Sequence, residues 1–523
     1  MPRPLTVKAQ RWGPDGPTLA RATKRLLAHT IVRQYLEGTN HRLLSTSLLE
    51  PARKPRKPPS PTRFRATVYD YTNERTLLID GDVKDREYFA IAESAVQPLS
   101  GPEEFEAAVK VLEDEPELGP ALRSGAVQPY PPMPPLLHTE LPEGNLERNV
   151  TVGLLPQGNG ARHEIVSVNL NRGEVARFDE GAPLTSRAAA GICGVPVAAG
   201  QATAAQGTPG QAWVTVSQGG KVIWRFLVVR PAASSGNDGS GVELRYLDYR
   251  GRRVLYQAHV PILNVLYDRN TCGPYRDWQY QEGKIQASGT DVAPGFRLCP
   301  NPAKTIMESG SDTGNFLGVG IYVQGQEVVL VSELEAGWYR YVSEWRLHAD
   351  GTIRPRFGFA ATSSSCVCAV HHHHVYWRLD FDIGTPGRNR VREFNNPPVA
   401  PGGGNWHQNR FEGKRFRAPA RKRRWRVENA SGRGYTILPG PRDRTAAGDP
   451  YAKGDLWILR YRPGEIDDYP IIGTEAQLDK LVNHESVADE DVVIWYGAHF
   501  THDVGHHTSV PHIVGPDLVP HNW

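Results

Sequence analysis

Residues 368–382 read CAVHHHHVYWRLDFD, four consecutive histidines running into aromatic and branched residues. Val375, Tyr376, Trp377 and Leu379 suit a pleated, half-buried strand, in which successive side chains point to opposite faces. His371 and His373 therefore share one face, and His372 and His374 share the other. Imidazoles two residues apart on a strand stand about 7 Å apart at Cβ, close enough for their tips to converge on one metal ion. Two imidazoles make a weak site, so a third ligand has to come from elsewhere. After the strand-like DVVIWYGA (491–498) the chain offers His499, His502, His506, His507, His512 and His521. Periodicity does not choose among these six. Imidazole ligation suits copper, zinc or iron, and copper is the tightest of the divalent choices.

The surroundings of this stretch set the fold class. From residue 242 onward short strand-like segments follow one another: VELRYLDY (242–249), RRVLYQAHV (252–260), QEVVLVSEL (326–334), DLWILRYRP (455–463) and DVVIWYGAHF (491–500). Strands at this density, with few helical runs between them, predict a large antiparallel β-sandwich over 236–523. Upstream, strands alternate with helical patterning and predict two small α+β domains, giving an α+β and mainly β protein. The first, 63–137, has strands at 63–72 and 74–83 and a helix from Pro102 to about Leu122, with Phe105, Ala108, Val109 and Leu112 as its buried stripe. The second, 138–235, has strands at 148–157 and 163–171 and a hairpin turning on Gly219-Gly220. Residues 1–62 combine one amphipathic helix over 18–36, carrying Leu26, Leu27, Ile31, Val32 and Leu36, with the basic, Pro-rich linker PARKPRKPPSPT (51–62).

Composition narrows the partners. A chain of 523 residues exceeds a single core, and Gly 52 and Pro 43 favour many turns. Lys+Arg 60 against Asp+Glu 57 leaves a net charge of +3, too small for a field that gathers nucleic acid or anionic lipid. The basic run KRFRAPARKRRWR (414–426) reads as a solvated loop entering a strand. No apolar run reaches the roughly 20 residues of a membrane span. The opening residues lack the plan of a secretory leader, so a cytoplasmic protein is expected, with Cys193, Cys366 and Cys368 as packing residues; Cys272 and Cys299 could pair, although a cytoplasmic location argues against it.

Several motifs together carry a family resemblance. GWYRY (337–341), DGTI (350–353), the His-x-His-x4-Arg-Leu-Asp of 371–380 and Trp495-x5-Thr501-His502 resemble the copper-containing amine oxidases. YDYTNERT (69–76), EEFEAAVK (103–110), VSVNLNRGEVARFD (166–179), KVIWRFLVVR (221–230) and the paired strands of 242–268 follow in that family's order. The resemblance implies a homodimer whose last domain holds copper on His371, His373 and His502. It also implies a peripheral calcium-type site on Asp380, Asp382 and Asp491, with the carbonyls of Phe381 and Val492, since a hard cation takes oxygen ligands. Tyr339 falls where the family converts a tyrosine to topaquinone, and Tyr267 where a tyrosine hydrogen-bonds that quinone.

The chain departs from the family pattern around these tyrosines. The Thr-x-x-Asn-Tyr-Asp/Glu motif becomes Glu335, Trp338, Tyr339 and Arg340, and the catalytic-base position holds Gln281, with Glu282 and Asp277 as nearby acids. A carboxamide does not take up a proton at working pH, and loss of a positioned base costs about 100- to 10,000-fold. Arg340 beside Tyr339 is expected to favour a tyrosinate. Three readings follow for a copper-dependent oxidoreductase scaffold that meets a small-molecule or peptide substrate and dioxygen. The first is oxidative deamination of a primary amine through topaquinone with a displaced acid. The second is a topaquinone-free copper oxidase or oxygenase of specialised metabolism with unmodified Tyr339. The third is an inactive copper-binding homologue.

Overall fold

The computed structural model describes the chain apart from residues 1, 50–53, 56–57, 95–96, 99, 133–135, 138–146, 158–163, 178–192, 197–209, 233–240, 268–275, 278–280, 369, 447–450, 467–477 and 503–511. Two large, almost wholly antiparallel sheets dominate the described residues, one of ten strands and one of fourteen. In the ten-stranded sheet the strands Glu243–Tyr249, Arg252–Tyr267, His371–Phe381, Val492–His502 and Leu456–Arg460 lie side by side. The fourteen-stranded sheet runs through Val319–Gln324, Glu327–Ala336, Tyr339–His348 and Ile353–Ala361 to the last strand, Asp517–His521. Their inner faces share one core, in which Trp345, Trp377, Trp425, Phe381 and Tyr496 are buried. Alternation accounts for it: along Tyr339–His348 the odd-numbered residues, Tyr339, Tyr341, Ser343, Trp345 and Leu347, are buried against the partner sheet, as a period of two requires. This is a large antiparallel β-sandwich, as the strand pattern predicted.

The smaller elements group differently from the sequence segmentation. The expected N-terminal helix is two helices, Gly16–Leu27 and Thr30–Leu36, because His29 between them is extended. Their buried stripe, Leu19, Ala22, Leu26, Val32 and Leu36, lies on Phe64, Ala66, Val68, Leu77 and Ile79 of a four-stranded sheet. The helix beginning at Pro102 stops at Asp114, where Glu115 turns extended. Its Ala108 and Leu112 pack on Val150, Val152, Val166 and Val168 of a separate five-stranded sheet, so it covers the second sheet and not the first. The hairpin Gly210–Gln218 and Lys221–Arg230 turns on Gly219 and Gly220, both at positive φ as a two-residue hairpin loop demands. It is continuous with the ten-stranded sheet of the sandwich.

Candidate metal centre

Register brings the histidines together. His371–Phe381 pairs antiparallel with Val492–His502 so that His371 is directly opposite His502 and His373 is opposite Phe500. Parity along the first strand and pairing across to the second therefore place three imidazoles on one inward face. The ligand atoms of His371, His373 and His502 lie within 4.8 Å of one another, and all three residues are buried. Nε2 of His371 and Nδ1 of His502 are 3.1 Å apart. Two nitrogens bound to one ion at about 2.0 Å each, subtending about 100°, stand at that separation.

Tyr339 enters the same cluster from the opposite sheet. Its hydroxyl shares a hydrogen bond with Nε2 of His371 and lies 3.2 Å from Nδ1 of His502. The Tyr339 ring stacks parallel on Tyr341 at 5.2 Å and meets the His373 ring edge-on at 4.7 Å. Phe359 and Phe500 complete an apolar wall around His373. Burial, with the neighbouring imidazoles adding to it, holds His373 well below the usual histidine range and so neutral, the form that ligates metal. Among the described residues neither ring nitrogen of His373 has a hydrogen-bond partner. A fully buried imidazole with both nitrogens unmet is costly, and a metal ion is the natural group to meet one of them. The residues present therefore fit a copper ion.

The outward face of the same strands is pinned by hydrogen bonds. Nδ1 of His372 is 2.9 Å from the Thr501 hydroxyl, and Nδ1 of His374 is 3.0 Å from Nδ1 of His499. His499 in turn meets Asp455 and the Gly454 carbonyl through Nε2, at 3.1 Å each. His499 thus serves the outer face, while His512 packs on Phe500 at 4.2 Å and His521 lies in the last strand. His506 and His507 lie outside the described residues.

Arg340 does not do what its place in the sequence suggested. It sits one residue from Tyr339 on a strand and so occupies the opposite face. Its guanidinium binds Asp312 at 2.8 Å and Glu335 at 3.3 Å, and donates to the carbonyls of Gly337 and Tyr339 at 3.0 and 3.1 Å. It therefore fixes the backbone of the turn that carries Tyr339 and leaves the hydroxyl alone. Behind the sheet, burial raises Glu335 to about 7 and Glu333 to about 8.

The remaining predicted residues are placed as follows. The backbone of Tyr267 pairs opposite His371, and that of Gln281 opposite Glu335; their side chains, like that of Asp277, lie outside the described set. Glu282 pairs opposite Leu334, which pairs opposite Tyr341, so Glu282 belongs to the row on the Tyr339 face. It is buried in an ion pair with Arg230, and burial raises its carboxyl above the usual range. Asp380, Asp382 and Asp491 do come together. Their oxygens close around the ammonium of Lys54, a linker residue that sequence reasoning did not single out, and this arrangement does not fit a calcium-type ion. Nothing local in PARKPRKPPSPT marks Lys54, because its partners are more than 300 residues away.

The cysteines also differ from expectation. Cys193 and Cys368 form a disulfide, with Cα atoms 5.3 Å apart, three residues before His371. Backbone bridges from Cys193 to Ser364 and from Val195 to Thr362 lie beside it, so a strand-like segment is sewn to the chain entering the histidine strand. Cys299 is a buried free thiol, and Cys272 lies outside the described residues.

No protein-family model matches the chain, and no curated protein matches it. Solved structures do. A copper-containing benzylamine oxidase from Hansenula polymorpha matches at a TM-score of 0.62 and 12% identity, covering 98% of each chain. Pichia pastoris lysyl oxidase matches at 0.60 and 12%, over 99% of this chain and 90% of that one. Aspergillus nidulans amine oxidase matches at 0.56 and 12%, over 100% and 91%. Along essentially its whole length, the chain has the fold of the copper-containing amine oxidases.

Proposed function

We propose that this protein is a copper-dependent oxidoreductase, with copper held by His371, His373 and His502 and dioxygen as the oxidant. The observation that carries the reading is the convergence of three buried imidazoles, one of them with both nitrogens unmet, on the hydroxyl of a buried tyrosine. Bound copper would supply a one-electron redox couple and open positions for dioxygen or substrate. The chain's own residues hold that centre dry and rigid. Tyr341 and His373 fix the Tyr339 ring, Arg340 fixes its backbone, and His372, His374 and His499 fix the ligand strands from behind.

This packing favours an unmodified Tyr339 that stays at the metal, since the stacked Tyr341 and the edge-on His373 confine the ring. One observation favours the alternative, amine oxidation through topaquinone: Glu282 is a buried carboxyl, raised above its ordinary range, on the same sheet face as Tyr339. The fold neighbours named for benzylamine and lysyl oxidation make primary amines, free or on peptides, the first substrates to try. The Cys193–Cys368 bridge argues for work in an oxidising compartment and not in the cytoplasm expected from the sequence. No helix among the described residues is long and apolar enough to cross a membrane. The homodimer of the resemblance is tested by light scattering.

The deciding experiment is quinone staining and a visible spectrum of copper-loaded protein, with dioxygen uptake measured on primary amines and on a wider substrate panel. Uptake without a quinone signal supports a copper oxidase with unmodified Tyr339, and a quinone signal supports amine oxidation through topaquinone. Copper binding with no uptake on any substrate contradicts oxidoreductase function.

A further inference from the structure

Asp380 is next to last in the histidine strand, Asp382 immediately follows it, and Asp491 immediately precedes the strand that carries His502. Between them sits the Nζ of Lys54, 2.6 Å from Asp380, 2.7 Å from Asp491 and 3.1 Å from Asp382. We propose that this pocket is a socket for a primary alkylammonium, filled from within the chain by Lys54, and that it binds no divalent cation in the intact protein.

The chemistry of the walls supports that assignment. An ammonium has three N–H donors and no acceptor, and here three carboxylate oxygens from three residues meet it. The Tyr461 ring lies 3.9 Å from Nζ and the Tyr256 ring 5.0 Å away. Aromatic faces attract an alkylammonium. They give nothing to calcium, which takes about six to eight oxygens at about 2.3–2.6 Å. The side chain of Lys54 is only 6% exposed. Burial alone would depress its pKa, and the three aspartates outweigh that and hold it above the usual lysine range.

The need for a cation is visible in the acids. Burial, with repulsion from Asp380 adding to it, pushes Asp382 and Asp491 above the usual carboxylate range, and the Lys54 ammonium counters that by favouring their charged forms. Arg378 approaches Asp380 at 3.8 Å, too far to replace a direct partner. Where a peripheral metal would neutralise the three aspartates, this chain uses a lysine from its linker. The same bond fastens the linker to the far end of the two strands that carry the three histidines. This assignment does not depend on copper.

The test is thermal denaturation of the full chain and of Lys54→Ala, each alone, with calcium, and with n-propylammonium chloride, which replaces the missing atoms. The wild-type Tm should not move with calcium up to about 1 mM, the weak end for extracellular calcium modules. Lys54→Ala should melt lower, and n-propylammonium should restore part of the loss where sodium chloride at equal strength does not. A saturable rise in wild-type Tm with calcium, matched by tyrosine-sensitised terbium emission at one site, would overturn the proposal. An unchanged Tm in Lys54→Ala would overturn it as well. If Lys54→Ala does not fold, the wild-type calcium and terbium titrations decide the matter alone.

Discussion

The hydroxyl of Tyr339 lies 3.2 Å from Nδ1 of His502, although the two residues come from opposite sheets of the sandwich. That contact, with its companion to His371, makes the tyrosine part of the candidate metal centre. Tyr339→Phe keeps the ring, its stacking on Tyr341 and its edge contact with His373, and removes only the oxygen. We expect copper content to stay at the wild-type level while dioxygen uptake falls by at least about 100-fold, the usual scale for losing a positioned proton-transfer group. Equal uptake rates for the two proteins would show that the hydroxyl has no part in turnover.

Glu333 makes stability depend on pH in a direction opposite to that of a salt-bridged acid. Burial raises its carboxyl from 4.5 to about 8. The native state therefore holds a proton that the unfolded chain has lost, and stability falls as pH rises from about 5 to about 8. Glu333→Gln keeps the acceptor for the amide of Ile306, 2.7 Å away, and removes the titration. Urea midpoints measured across that window should decline less steeply for the variant, which should be the more stable protein at pH 8. Parallel pH profiles would refute the assignment.

The Cys193–Cys368 bridge spans 175 residues and holds the segment around Val195 to the approach of the histidine strand. Replacing both cysteines by serine should cost about 2–5 kcal/mol, the usual range for a native disulfide. Guanidinium denaturation measures it directly. A variant as stable as the wild type would mean that the bridge is not formed in the native protein.

Much of the centre was legible because it is local. Four histidines on one strand sort by parity alone, and the structure places His371 and His373 on one face and His374 against His499 on the other. The third ligand was not legible from periodicity. Six histidines near the C-terminus were equivalent candidates by periodicity; the family resemblance pointed to His502, and the pairing of His371 with His502 across two strands brings that ring to the other two. The same limit hid Lys54, the disulfide and the partner Asp312 that Arg340 binds. Each depends on contacts between distant segments. Strand density predicted the sandwich, but not that the helix Pro102–Asp114 covers the second small sheet and not the first, since its apolar stripe suits either.

Whether His371, His373 and His502 bind one copper ion is read out by electron paramagnetic resonance of copper-loaded protein together with total metal analysis. We expect about one copper per chain in a nitrogen-rich environment, and little bound copper in His373→Ala with the fold preserved by circular dichroism. Full copper content and an unchanged spectrum in His373→Ala would contradict this ligand assignment.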